Sequence, residues 1–450
     1  MAQDQTRQRI VRYGFAAAVT LIALVLAAAP LWSDAPGVLP AAGVVGFAIA
    51  MWATGVMPVQ VATLTMFLAA VVLDVAPPEV VFSGFHSGAV WLVFGGIVLS
   101  LATQRSGLAT RIVQALITQL PPRYFGMALG LITAGMMLGF VMPAASGRAV
   151  LVAPLAVALA GSLGFAEHSR ARNGLIIAAG WGTTIPLFGV LPANVVNMAF
   201  TGATESIYGI HYTYFDYLLL NFPVVGLIGI PIVAALVTLL YGAPIEHVET
   251  RESRVSMARG EARLLMILLT ALALWATDSL HGVSPAWIAL GAALLCVTPG
   301  VGVVPASVLT NDLNYSSWFF VAGVIGVGAI ANFSGLGEAI GKAVLDIVPL
   351  TRDGGIVTFY ELFAIGSAVT MVATAPAATP IMTAFADVIA GASGWPLETV
   401  LLAQVPTWMI YPLPHQVPPV VITMALGGVP IAAALRLLVP YFVIGIVVLL

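Results

Sequence analysis

Arg148 is the basic side chain that hydropathy places deepest in an apolar run, within Ala144-Ala145-Ser146-Gly147-Arg148. An arginine at the centre of a bilayer costs about 2.5 to 3.5 kcal/mol on insertion scales, so something must offset it. A guanidinium can grip a carboxylate through two parallel hydrogen bonds, which makes Arg148 a candidate anion ligand. Backbone carbonyls pinning the same side chain are the alternative. His415, between Pro414 and Gln416, belongs to the residue type that changes charge near neutral pH. It either moves a proton, hydrogen-bonds a ligand or is satisfied by its own loop. Asp387 and Glu361 are ionisable residues in apolar context; Asp387 either serves a site or is bonded internally, and Glu361 belongs near the entrance of its segment. Trp181 and Trp408 precede two chain breaks, where they either stack on a ligand or pack.

These side chains sit in or beside four stretches rich in Gly, Pro, Ser and Thr: Met142 to Arg148, Thr183 to Asn194, Thr374 to Pro380, and Pro412 to Pro419. A helix broken by such residues presents N–H groups at the start of one half and carbonyls at the end of the other. Those ends can hold an anion and a cation side by side. A rival chemistry is hydrolytic: Gly391-Ala392-Ser393-Gly394 matches the Gly-x-Ser-Gly of rhomboid-like serine proteases, and His415 follows. Ser393, however, falls where its segment exits toward water, beside Trp395-Pro396.

The elements that must carry these residues follow from composition. Of 450 residues 60% are hydrophobic and 8% charged, against roughly 25% charged in soluble domains. A soluble fold is excluded. A spanning helix takes about 20 apolar residues, and the apolar runs predict an all-α polytopic membrane protein with about eleven transmembrane helices. The net charge of −3 gives no reason to expect a nucleic-acid partner. Cys296, the single cysteine, cannot form an intrachain disulfide. Arg7, Arg9 and Arg12 ahead of the apolar run Tyr13 to Trp32 have the form of a secretory signal, but Pro30 and Pro36 follow the plausible cleavage sites and predict a retained first span. Arg105, Arg111, Arg123, Arg170, Arg172, Arg251, Arg254, Arg259, Arg263 and Arg436 fall on the side of the N-terminus. The positive-inside rule then predicts a cytoplasmic N-terminus in a bacterial-type inner membrane and an external C-terminus.

The chain also repeats itself. Trp91 to Leu116 has a counterpart in Trp318 to Val344: Trp opens each run, Gly96 or Gly323 follows five residues on, and a Ser-Gly-Leu turn leads into an amphipathic stretch. Pro143 to Phe165 aligns with Ala373 to Trp395, and both end in Ala-Gly-x-x-Gly-aromatic. Leu191-Pro192-Ala193-Asn194 aligns with Val417-Pro418-Pro419-Val420. The charges give the copies opposite orientations, which defines two inverted repeats. Such repeats build carriers whose site lies at the midplane, formed by discontinuous helices. The predicted organisation is a first helix in 1–38; repeat 1 in 39–241, with a re-entrant hairpin over 124–165 and a broken helix over 174–202; a cytoplasmic linker, 242–263; and repeat 2 in 264–450, with a hairpin over 355–394 and a broken helix over 397–427. Secondary active transport of small anions by alternating access is the expected function, with a passive anion channel or an intramembrane protease as alternatives.

On these hairpins and loops, over roughly Leu39 to Leu450, the chain resembles the divalent-anion/sodium symporter family of the ion-transporter superfamily. In that family each hairpin carries a Ser-Asn-Thr tip and each broken helix a Pro-Pro-Asn-like loop. Counting back from Pro154, the first tip reads Ala144-Ala145-Ser146, and the second reads Thr374-Ala375-Pro376. The first loop keeps its asparagine in Gly189-Val190-Leu191-Pro192-Ala193-Asn194; the second, Leu413 to Val420, has valine there. The resemblance implies a homodimer that carries di- or tricarboxylates. Taken with the residue chemistry above, it gives candidate anion ligands at Ser146, Gly147, Arg148, Asn194, Thr374, Thr379, His415 and Pro418. Coupling-cation ligands would come from Ala144, Ser146, Thr183, Gly189, Asn194, Thr374 and Pro414, with sodium the only metal and no organic cofactor. Loss of the tip asparagines leaves sodium coupling, proton coupling and anion exchange all open.

Overall fold

The computed structural model describes residues 2–28, 37–117, 123–142, 144–245, 257–372 and 374–448. Pro30 and Pro36, on which the expectation of a retained first span rests, most of the charged linker including Arg251 and Arg254, and the tip residues Pro143 and Ala373 lie outside them. So do the side chains of Arg7, Arg9 and Arg12.

All regular elements among the described residues are helical. This is the outcome expected where no water is available to satisfy backbone groups. Among the described residues five helices are long and apolar enough to cross a bilayer: Gly88–Ser106, Ala145–Ser162, Tyr214–Tyr241, Ser316–Phe333 and Ile431–Val448. A sixth candidate is the pair Ala375–Ala384 and Ala386–Ser393, bent by 59°, and shorter apolar helices such as Val38–Thr54 and Pro285–Val297 accompany them. A count by length falls below eleven because Pro and Gly cut apolar runs into pieces. Pro223 is tolerated inside Tyr214–Tyr241 by a π-helical stretch, Pro223–Ile228, which shifts the hydrogen-bond pattern where the proline lacks its N–H.

The chain forms two compact units, and neither is one half of the sequence. One comprises Met1–Val90, Ala199–His211 and Tyr315–Thr407; the other comprises Trp91–Met198, Tyr212–Asn314 and Trp408–Leu450.

In the second unit, helices Tyr124–Val141 and Ala145–Ser162 form a hairpin whose open end is closed by the Tyr124 and Phe165 rings, 6.0 Å apart. Helix Arg170–Gly182 lies against both arms. Small residues permit the approach: a Cβ on Gly182 would stand 2.4 Å from Ile132 Cα, and one on Gly135 would stand 2.7 Å from the Gly182 carbonyl carbon. Membrane helices gain little hydrophobic energy from pairing with each other, so close packing at small residues supplies much of their association. Helix Pro418–Gly427 packs on Arg170–Gly182 through Gly427 against Ile176 and Gly180 against Thr423. These two contacts are one turn apart in opposite senses, so the helices run antiparallel. The start of Pro418–Gly427 therefore lies by the end of Arg170–Gly182.

In the first unit, Ile356–Val372 and the bent pair form the other hairpin, closed where Asp353 N–H donates to the Ser393 carbonyl at 2.9 Å. Ser316–Phe333 packs on it, with Gly328 facing Pro380. At the bend, Tyr208 Oη donates to the Thr383 carbonyl (2.9 Å) and Gln404 Nε2 to the Met382 carbonyl (3.3 Å).

The paired sequence landmarks have matching local geometry. Gly107 and Gly335 take φ of +84° and +77°, and in each turn the preceding serine hydroxyl accepts the N–H of the following leucine. Gly164 and Gly394, in the two Gly-aromatic endings, take φ of +79° and +78°. Glycine reaches this left-handed region without the Cβ penalty.

Candidate functional site

The first hairpin tip is built from chain breaks. Tyr124–Val141 ends at Met142, and Ala144, in extended conformation, precedes Ala145–Ser162. Ala144 has no side chain to cap the helix; its own N–H donates to Ser100 Oγ at 3.2 Å. Gln104, one turn beyond Ser100 on the same helix, faces Gly147, where a Cβ would stand 2.9 Å from Gln104 Nε2. The first turn of the helix carries Ser146, which is exposed, and Gly147, half-buried. First-turn N–H groups have no partner within their helix, and here the first turn closes only where Arg148 N–H donates to the Ala144 carbonyl, at 3.1 Å.

Arg148 is fully buried. Nε donates to the Thr183 carbonyl and Nη2 to the Ala193 carbonyl, both at 2.9 Å, and Nη1 donates to the Met142 carbonyl. Each acceptor ends a different piece of chain: the first hairpin arm, the helix Arg170–Gly182, and the 3-10 turn Leu191–Ala193. Among the described residues no backbone N–H takes these three carbonyls and no carboxylate pairs with Arg148. Three of the five guanidinium N–H groups therefore go to backbone carbonyls, the pinning that the sequence left as one alternative, because the breaks leave acceptors that a buried guanidinium can satisfy.

Two asparagines hold the rest of the broken segment. Asn194 Nδ2 donates to the Thr184 carbonyl (3.0 Å), while Asn197 Nδ2 donates to those of Leu187 (3.2 Å) and Val190 (2.9 Å). Thr183 Oγ1 donates back to the Gly180 carbonyl at 2.8 Å. Gly189 is buried by backbone approach: a Cβ there would stand 2.6 Å from Phe222 Cα. Pro414 is buried in the 3-10 turn Pro414–Gln416, where Gln416 Oε1 accepts the Leu413 N–H at 3.1 Å. His415 and Pro418 are exposed. Trp181 is buried edge-on against Tyr441, with centroids 5.4 Å apart, and Trp408 is buried as well.

Ser146, Gly147, Arg148, Thr183, Asn194, His415 and Pro418 thus belong to one compact unit, and Thr374 and Thr379 to the other. Thr374 is the N-cap of Ala375–Ala384 and is half-buried. Thr379 is buried and its hydroxyl donates to the Ala375 carbonyl at 2.7 Å. Asp387 is exposed and accepts the Val388 N–H at 2.8 Å. Glu361 holds Thr351 through its N–H and hydroxyl, both at 2.7 Å, at the hairpin entrance. The sequence reading missed Ser100, Gln104 and Asn197. Polar residues spaced four apart in an apolar helix, and two asparagines spaced three apart, were the available signals.

Apolar helices broken at polar tips, with a buried cation behind a helix start, define a polytopic membrane protein built around discontinuous helices. The citrate transporter family model matches residues 47–410, and the chain belongs to that family. It is also similar to the sodium-dependent dicarboxylate transporter SdcS of Staphylococcus saprophyticus, at 24% identity over 186 residues, which make up 39% of this chain and 35% of the relative. The chain therefore matches about a third of that relative's length. The resemblance drawn from the tips and loops is borne out, and membership of a transporter family sets aside the protease reading of Ser393.

Proposed function

We propose that the chain is a secondary carrier of small di- and tricarboxylates, with citrate the first candidate. The observation that carries this reading is the Arg148 charge, which no carboxylate among the described residues neutralises, seated directly behind a helix start whose outward residue is Ser146. The helix start contributes partial positive charge of its own. A carboxylate then sits on the first-turn N–H groups and Ser146 Oγ, attracted by a guanidinium it does not touch. Asn194 keeps the adjoining break in shape. Thr374, also at a helix start, is the counterpart of this arrangement in the other hairpin. The matched glycine turns support an inverted repeat, and with it eleven spans, a cytoplasmic N-terminus and alternating access. The relative's name supports sodium as the coupling ion; a proton gradient and exchange against a second anion are the other routes. A homodimer is part of the same proposal.

The test is uptake by purified protein in liposomes, with citrate, succinate and sulfate under sodium, proton and counter-anion gradients. Saturable citrate uptake stimulated by internal citrate is the expected result; ohmic currents without saturation would refute the carrier. Ser146→Ala removes a hydrogen bond to a charged group, worth about 1.5 to 3 kcal/mol, so citrate affinity falls roughly tenfold to a hundredfold. Unchanged affinity would remove Ser146 from the site.

A further inference from the structure

We propose that Arg148 is a tethered cation filling a carbonyl cage that a free monovalent cation would otherwise occupy, so the first hairpin is held together without sodium. This inference rests on the carboxylate-carrier reading and specifies how that site obtains its positive charge.

The cage consists of the Met142, Thr183 and Ala193 carbonyls, each at the end of a separate piece of backbone. Carbonyls at the ends of half-helices carry partial negative charge. Unwound carbonyls of this kind are the ligands that discontinuous membrane helices offer to small coupling cations. Here one side chain occupies all three positions, and its atoms have no exposed surface. A neutral amide would satisfy carbonyls as donors, as Asn197 does for Leu187 and Val190. The guanidinium adds a permanent charge in a buried place where charge is disfavoured. That charge lies at the first turn of the helix whose start receives the anion. The same group therefore closes the three breaks and charges the tip, two tasks that elsewhere would require a bound ion.

The test compares wild type with Arg148→Ala, Arg148→Gln and Arg148→Lys as purified full-length proteins. Each is melted in choline chloride with sodium chloride or millimolar guanidinium added, and citrate binding is measured in parallel. Arg148→Ala is expected to melt lower than wild type in choline and to recover with guanidinium or sodium. Its citrate affinity should rise about tenfold or more over a sodium range that leaves wild type nearly unchanged, as expected for linkage to a newly opened cation site. Arg148→Lys keeps a fixed charge and should resemble wild type in its sodium response. Arg148→Gln, which retains donors without charge, should resemble Arg148→Ala and carries the test if the alanine variant does not fold. Equal sodium responses in wild type and the uncharged variants, with no guanidinium recovery, would overturn the proposal. Failure of wild type to bind citrate would instead refute the carboxylate reading, while the melting arms stay interpretable.

Discussion

Replacing Gly182 by alanine should couple a packing fault directly to the Arg148 cage. Gly182 is the last residue of Arg170–Gly182, and an added Cβ would stand 2.4 Å from Ile132 Cα and 2.5 Å from the Ile132 carbonyl oxygen. Both are backbone atoms and cannot rotate away. Reaching ordinary contact requires the hairpin arm and the helix to separate by about 1 Å, an overpacking fault that typically costs about 1 to 3 kcal/mol. Thr183 is the next residue, and its carbonyl receives Arg148 Nε at 2.9 Å. A shift of about 1 Å takes that contact beyond hydrogen-bonding range, and a hydrogen bond from a charged donor is worth about 1.5 to 3 kcal/mol. The combined loss is about 2.5 to 6 kcal/mol. Gly291→Ala is the matched control, because Gly291 lies within helix Pro285–Val297 with nothing within 4 Å of its added Cβ. That change should stabilise by up to about 1 kcal/mol through helix propensity. Fluorescence-monitored melting of the detergent-purified protein should therefore move in opposite directions for the two variants, with citrate binding lost only in Gly182→Ala. Equal melting temperatures would show that the hairpin arm and the broken helix are not packed as described.

The two Ser-Gly-Leu turns make a paired prediction. Gly107→Ala and Gly335→Ala each force a Cβ into left-handed backbone, so each should lower stability by about 1 to 2 kcal/mol in melting experiments; a neutral effect at either turn would deny the matched geometry. At the aqueous linker end, the Ala258 N–H and then Arg111 hold the Glu261 carboxyl below the usual carboxylate range. Its stabilisation is present above the unfolded pKa of about 4.3 and fades as pH falls through the lowered value. The melting difference between wild type and Glu261→Gln should accordingly stay constant from neutral pH to about 5 and close in stronger acid; a difference that widens in acid would contradict this sign.

The sequence by itself determined whatever depends on composition or on neighbours along the chain. Its apolar content required helices. Proline and glycine located the breaks at Met142, Thr183 and Pro414, and the Ser-Gly-Leu turns announced their left-handed glycines, because each constraint acts within a few residues. Arg148 was legible as a buried charge in need of a partner. Its partners were not legible, since the Thr183 and Ala193 carbonyls lie 35 and 45 residues away and carbonyls carry no sequence signature. The same reason hid the internal partner of the second bend, where Tyr208 reaches Thr383 across 175 residues, and the role of Ser100 at the first tip. Tertiary structure alone decided which backbone carbonyls the arginine would reach. Which breaks come within reach of a single guanidinium depends on how separate helices pack, and local preference says nothing about that distance.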